Sequence, residues 1–212
     1  MRLHLGAIPN SPDFVPDGTW KPMRELSPWL AQLIALPIGI AAMLLLTVLW
    51  FWLTPLRDAV SAVSPPALFH VFLDMPIPSL LLLVIALVGL TVIHELLHAV
   101  VHPMKGLSPR TVLGFWPSTL MFYAHYDGEV SRNRLIAILL TPLIIISIVP
   151  LVVAAVVQVT SGWAAFLSCF NAVLSCVDML GVAMLLFQVP RTAVVRNQGW
   201  KSYWKVADPA TA

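Results

Sequence analysis

The chain has 212 residues, of which 59% are hydrophobic and only 10% are Asp, Glu, Lys or Arg, against about a quarter charged in soluble domains. With a mean hydropathy of +0.88, this composition excludes an ordinary soluble domain and points to an integral membrane protein. The formal charge of +2 does not argue for nucleic acid, because the basic residues gather at the ends of apolar stretches.

Residues 1–28 are polar and carry Pro9, Pro12, Pro16, Pro22 and Pro28, so they read as an extended tail. No signal peptide is expected, since the first apolar stretch is too long for an h-region. Span one, about 29–54, contains no ionisable residue and is long enough to cross a hydrocarbon core of roughly 30 Å. Pro37 is expected to kink it, and Trp50 and Trp52 to sit in an interfacial belt. The connection 55–78 is mixed, with an interfacial piece at 67–73. Span two covers about 79–102. In the polar loop 103–133, β-prone runs at 112–115 and 119–126 flank Trp116-Pro117-Ser118, which suggests a short β-hairpin. Span three covers about 134–158 and contains Pro142 and Pro150. Span four covers about 163–189, with Asp178 as its one charged residue. Residues 190–212 form a second polar tail. Cys169 and Cys176 lie about 10 Å apart along one helix, too far for a disulfide.

The expected fold is therefore all-α: an integral membrane domain of four transmembrane helices over 29–189, flanked by tails, with one hairpin between spans two and three. Eleven of the twelve Lys and Arg residues fall in the two tails and the 103–134 segment. Both termini are thus expected to be cytoplasmic in a multi-pass cell-membrane protein.

Span two holds the chemistry. Its second half reads His94-Glu95-Leu96-Leu97-His98, a His-Glu-x-x-His motif that a shuffled chain of this composition would carry about once in four hundred times. Residues four apart share a helix face, so His94 and His98 can offer imidazole nitrogens to one zinc ion. Glu95 is then placed to reach a water at the metal's open position and act as general base. His102 is too far along the same helix to join His94, about 12 Å, and reads as an interfacial residue before Pro103. The third ligand is expected to be Asp178, because a membrane-embedded acid needs a partner. Ser168, Asn171, Ser175 and Asp178 recur on one stripe of span four, and His94 and Asp178 come out at comparable depths, about 12 and 17 Å. For Asn171 two roles stay open, orienting a substrate carbonyl or tying two helices together. Ser175 belongs to the same substrate-binding or supporting group.

The His-Glu-x-x-His motif late in one span, with an aspartate from a later one, resembles the site-2 protease group of intramembrane zinc metalloproteases. The stretch Asn171-Ala172-x-x-Ser175-x-x-Asp178, with Arg134-Leu135-Ile136-Ala137 and Thr141-Pro142, is more closely similar to a family of small multi-span zincin peptidases. The resemblance covers about 80–190. It implies a zinc metallopeptidase acting on a membrane protein or peptide substrate in the bilayer. A loop such as 112–126 would hold that substrate by β-addition. The alternative is a non-proteolytic membrane protein that binds or transports metal, or a regulator.

Overall fold

The structure is a computed structural model that describes residues 1–61 and 76–206. The expected interfacial piece at 67–73 and the end of the C-terminal tail, 207–212, lie outside the described residues. Six helices are described: α1 (Pro28–Leu53), α2 (Leu56–Ser61), α3 (Ile77–Val101), α4 (Arg132–Val157), α5 (Gly162–Leu174) and α6 (Cys176–Gln188). Helices α1, α3 and α4 are each long and apolar enough to cross a membrane. The pair α5–α6, bent by 49°, makes a fourth candidate span.

Local chemistry sets the helix ends. Helix α1 begins at Pro28, where a missing N–H costs no helical bond. Ser131 caps α4 by accepting from the Arg134 N–H, and Ser161 caps α5 by accepting from that of Ala164. Helix α3 stops because Pro103 forces His102 into an extended conformation, ψ 158°. Two arginines at the start of α4 then bind carbonyls at other helix C-termini. Arg134 donates to Val101 O of α3, and the buried Arg132 donates to Leu185 O and Leu186 O of α6. Between Pro142 and Pro150, α4 loosens into a π-helical turn at Leu143–Ile148.

The expected all-α fold is corrected by two small sheets. The predicted hairpin is present, as β3 (Thr111–Trp116) against β4 (Met121–Tyr126). It is joined by β1 (Arg2–Leu5), which runs parallel to β3 at its other edge. Gly114 makes this sheet possible, because a Cβ there would collide with the Tyr123 ring and the His4 carbonyl. The second sheet has the order β2 (Lys21–Pro22), β7 (Lys201–Val206), β6 (Ala193–Gln198) and β5 (Val130–Ser131). Its central hairpin turns on Gly199-Trp200, with Gly199 at φ 61°, the residue type that a two-residue turn requires. Both end segments thus carry strands. The N-terminal strands β1 and β2, of four and two residues, are too short to show a period, so only the tertiary pairing reveals them.

The sheets draw the N-terminal segment, the 103–131 segment and the C-terminal segment together, since each pairs with another. They gather at one end of the helices, where α1 and α4 begin and α3 and α6 end. Helix α1 packs on α5 and α6, and α3 packs on α4. The apolar core joins Leu46 and Trp50 of α1 to Leu151, Ala154, Ala165 and Ala172. Trp50 is therefore not an interfacial residue: it is 1% exposed, whereas Trp52 is 64% exposed. The first span runs through Pro37 as one helix.

Because three segments share two sheets, tags at the N-terminus, beside Arg110 and at the C-terminus should be labelled by an impermeant reagent from the same side of the membrane. A tag at Thr160, in the connection at the opposite end, should be labelled from the other. Labelling of the N- and C-terminal tags from opposite sides would refute this arrangement.

Candidate metal centre

Helix α3 carries His94 and His98 one turn apart on a buried face. Opposite them, span four is broken at Ser175, whose φ/ψ of −74°/6° ends α5 and starts α6. The break is a correction to the single straight span expected from the sequence. It places Asp178 in the first turn of α6, where the positive end of the helix dipole favours an anion. Helix α1 crosses this break closely at Gly39, where a Cβ would lie 2.8 Å from that of Cys176.

The structure brings His94, His98 and Asp178 together. The two Nε2 atoms are 3.2 Å apart, and Asp178 Oδ2 is 3.2 Å from the first and 3.4 Å from the second. Tetrahedral zinc with bonds of about 2.0–2.1 Å separates neighbouring ligand atoms by about 3.3–3.4 Å, so this triangle has the size of one face of such a site.

The outer nitrogens explain why the inner ones can meet. His98 Nδ1 donates to Ile138 O at 2.7 Å, and His94 Nδ1 donates to Asn171 Oδ1 at 2.9 Å. The Asn171 amide cannot be turned round, because its Nδ2 donates to Pro142 O (3.1 Å) and to Ser147 Oγ (2.9 Å). Each ring proton is thereby assigned to Nδ1. Two bare Nε2 lone pairs and a carboxylate oxygen then face one another, an arrangement that repels itself unless a cation sits between them. The donor set, two imidazoles and one carboxylate, suits zinc.

Behind Asn171 the hydrogen bonds continue. Ser147 Oγ donates to Ser168 O, Ser168 Oγ donates to Ser147 O, both at 2.8 Å, and Trp50 Nε1 donates to Ser168 Oγ at 2.9 Å. Ser147, Ser168 and Asn171 are fully buried. The chain of bonds thus ties α1, the π-helical turn of α4 and α5 to the ring of His94. Sequence reasoning missed Ser147 and Trp50. Ser147 was visible as the one polar side chain between Pro142 and Pro150, and polar residues inside spans usually bond between helices.

Ser175, also fully buried, gives its N–H to Asn171 O and its carbonyl to Met179 N. Its hydroxyl has no partner among the described residues. His102 is not interfacial: it is 2% exposed, 3.3 Å from Thr111 Oγ1 and near the Tyr126 ring. On β4, burial lowers the His125 pKa to about 4, which keeps that imidazole neutral.

Glu95 is half-buried and lines a cavity of about 670 Å³ together with His94, His98 and Asp178. One wall is β4 and another is the first part of α1, both mainly apolar. Strand β4 is an edge of its sheet, so its outer backbone groups are free of strand partners among the described residues. A second cavity, under β1 and β3, also touches Glu95.

A family-wide sequence pattern described as "Putative zincin peptidase" matches residues 87–194, half of the chain and all of this centre. The chain belongs to that family. No curated protein and no solved structure matches it.

Within this fold, Ser147→Ala should leave one Asn171 amide hydrogen unpaired in the core and remove the hydroxyl bond to Ser168 O. Thermal unfolding in detergent should show a loss of about 1–2 kcal/mol. An unchanged midpoint would mean that the bonds behind Asn171 contribute nothing to the fold.

Proposed function

We propose that the protein is a membrane-embedded zinc metallopeptidase that hydrolyses peptide bonds in or near the bilayer, in the manner of the site-2 proteases it resembles. The observation that carries this reading is the triangle of His94 Nε2, His98 Nε2 and Asp178 Oδ2, with Glu95 beside it in the same cavity. His94, His98 and Asp178 are the zinc ligands. When bound, zinc supplies a Lewis acid that acidifies a water and polarises a carbonyl. Glu95 follows His94 in the sequence and faces the cavity, so it takes the proton of the attacking water and returns it to the leaving amine. Asn171 and Ile138 O fix the imidazole rings, and Ser175 holds the break that positions Asp178.

The substrate is a membrane protein or peptide. Its apolar segment unwinds and lies against the free edge of β4, with backbone bonds holding it across the cavity. The unit is a membrane domain over 29–189 with flanking segments 1–28 and 190–212, of which the described residues 1–28 and 190–206 close the sheet side. That side is cytoplasmic, because eleven of twelve Lys and Arg residues lie there.

Glu95 and Asp178 separate this reading from a metal carrier or a silent regulator. Glu95→Gln should retain about one zinc per chain while cleavage of an apolar peptide in detergent falls about 10²–10⁴-fold. Asp178→Asn should lose both metal and activity, as should His94→Ala. The reverse pattern, with zinc lost in Glu95→Gln and kept in Asp178→Asn, would overturn these roles. Stoichiometric zinc without any cleavage by the unaltered protein would favour the regulator.

A further inference from the structure

The cavity beside the metal centre is electrically one-sided. Its lining includes three carboxylates, Glu25, Glu95 and Asp178, and no Lys or Arg. The described residues include every Lys and Arg of the chain. Asp178 and Glu95 belong to the proposed catalytic centre, where the metal charge answers them. Glu25 has no such partner. It lies between β2 and the start of α1, at the sheet end of the cavity.

The Glu25 carboxylate is held rigidly by β7. Ser202 N–H donates to Oε2 at 2.7 Å and Ser202 Oγ donates to Oε1 at 2.6 Å. These bonds fix its position and leave its charge unneutralised, since it makes no ion pair among the described residues. The neighbouring bases Arg24 and Lys201 are exposed and do not line the cavity. Burial raises the Glu25 pKa, against the opposing effect of the Ser202 bonds and of Lys201. A carboxyl in that condition gains from a cation placed beside it.

We propose that Glu25 is a specificity-determining residue. It selects substrates whose apolar segment is flanked, on the sheet side, by a basic residue or a free α-amine, and it disfavours an acidic flank. The inference rests on the peptidase reading and names its substrate class. The chemistry fits the location: the sheet end is where this protein's own basic residues gather, and membrane segments carry Lys and Arg on one preferred side. The apolar walls accept the segment, and the half-buried acid reads its end. Charge complementarity of this kind discriminates partly by penalising the wrong partner.

The test uses the full-length, zinc-loaded protein in detergent and three peptides that share one apolar segment and carry Lys, Gln or Glu at the flank. Binding is measured by fluorescence anisotropy to Glu95→Gln protein, and cleavage is measured with the unaltered enzyme. Binding should follow Lys, then Gln, then Glu, with at least about fivefold between the extremes at low salt, shrinking as salt rises. Adding Glu25→Gln should bring the three together, and Glu25→Lys should invert the order. Equal binding of all three, no binding of any, or an order that survives Glu25→Gln would overturn the proposal. Should the Glu25 variants fail to fold, carbodiimide coupling of the Lys peptide to the unaltered protein decides. The new amide should map to Glu25, and its absence there overturns the inference. The ordered binding without cleavage by the unaltered enzyme would sink the peptidase reading and leave the charge selection standing. Cleavage without the order would do the opposite.

Discussion

The arrangement of this molecule depends on where two ring protons are held. His94 and His98 each give their Nδ1 proton to an oxygen that can only accept, Asn171 Oδ1 and Ile138 O. While both rings are neutral, their remaining nitrogens then meet as bare lone pairs, beside a carboxylate. No arrangement of apolar helices would hold three such groups within 3.4 Å of one another for the sake of packing alone. A bound cation would offset that cost, and on the proposed reading the supporting bonds and the metal ligands form one unit. The supports come from α4 and α5, so the geometry of one histidine pair on α3 is set by two other helices.

That dependence explains two irregularities of the helices. A straight span four would present Asn171 and Asp178 to His94 at one fixed spacing, one polar stripe along a single helix. Breaking it at Ser175 lets the two residues approach opposite nitrogens of the same ring. In α4, the π-helical turn between Pro142 and Pro150 brings Pro142 O and Ser147 Oγ to the Asn171 amide. Such turns recur at functional sites because they redirect a few backbone groups without ending the helix.

Much of this was legible in the sequence and some was not, for physical reasons. The candidate spans were legible because runs of about 25 apolar residues have few other uses. The pairing of His94 and His98 followed from helical periodicity, and the approach of Asp178 followed from the cost of an isolated acid in lipid. The break at Ser175 was not legible: no Gly or Pro marks it, and the residue packed closely against it, Gly39, lies on another helix. Trp50 was misplaced for a similar reason. Its position near a span end suited an interface, but a serine on α5 offered its indole a buried partner. The strands of the end segments are two to six residues long, and their pairing is with segments far away in the chain. Only Gly199, flanked by β-branched and aromatic residues, hinted at the C-terminal hairpin.

The proposed hydrolytic centre would also need a supply of water among apolar helices, and its position answers that need. His94 is seven residues from the end of α3, about 10 Å along the helix axis. The cavity runs from there to Ser202, Glu25 and Trp200 on the sheet side, so polar groups line its outer end while hydrocarbon-like walls line its flanks. A site at mid-span would need a longer wet path, with more backbone left without partners. The sheets shorten that path. They bring strand β4, a partly buried backbone edge, down to the level of Glu95, and they cap the cavity with residues from both ends of the chain. On the proposed reading, the sheets are thus the part of the fold that would let water, a peptide backbone and the metal ligands occupy one small space beside a bilayer.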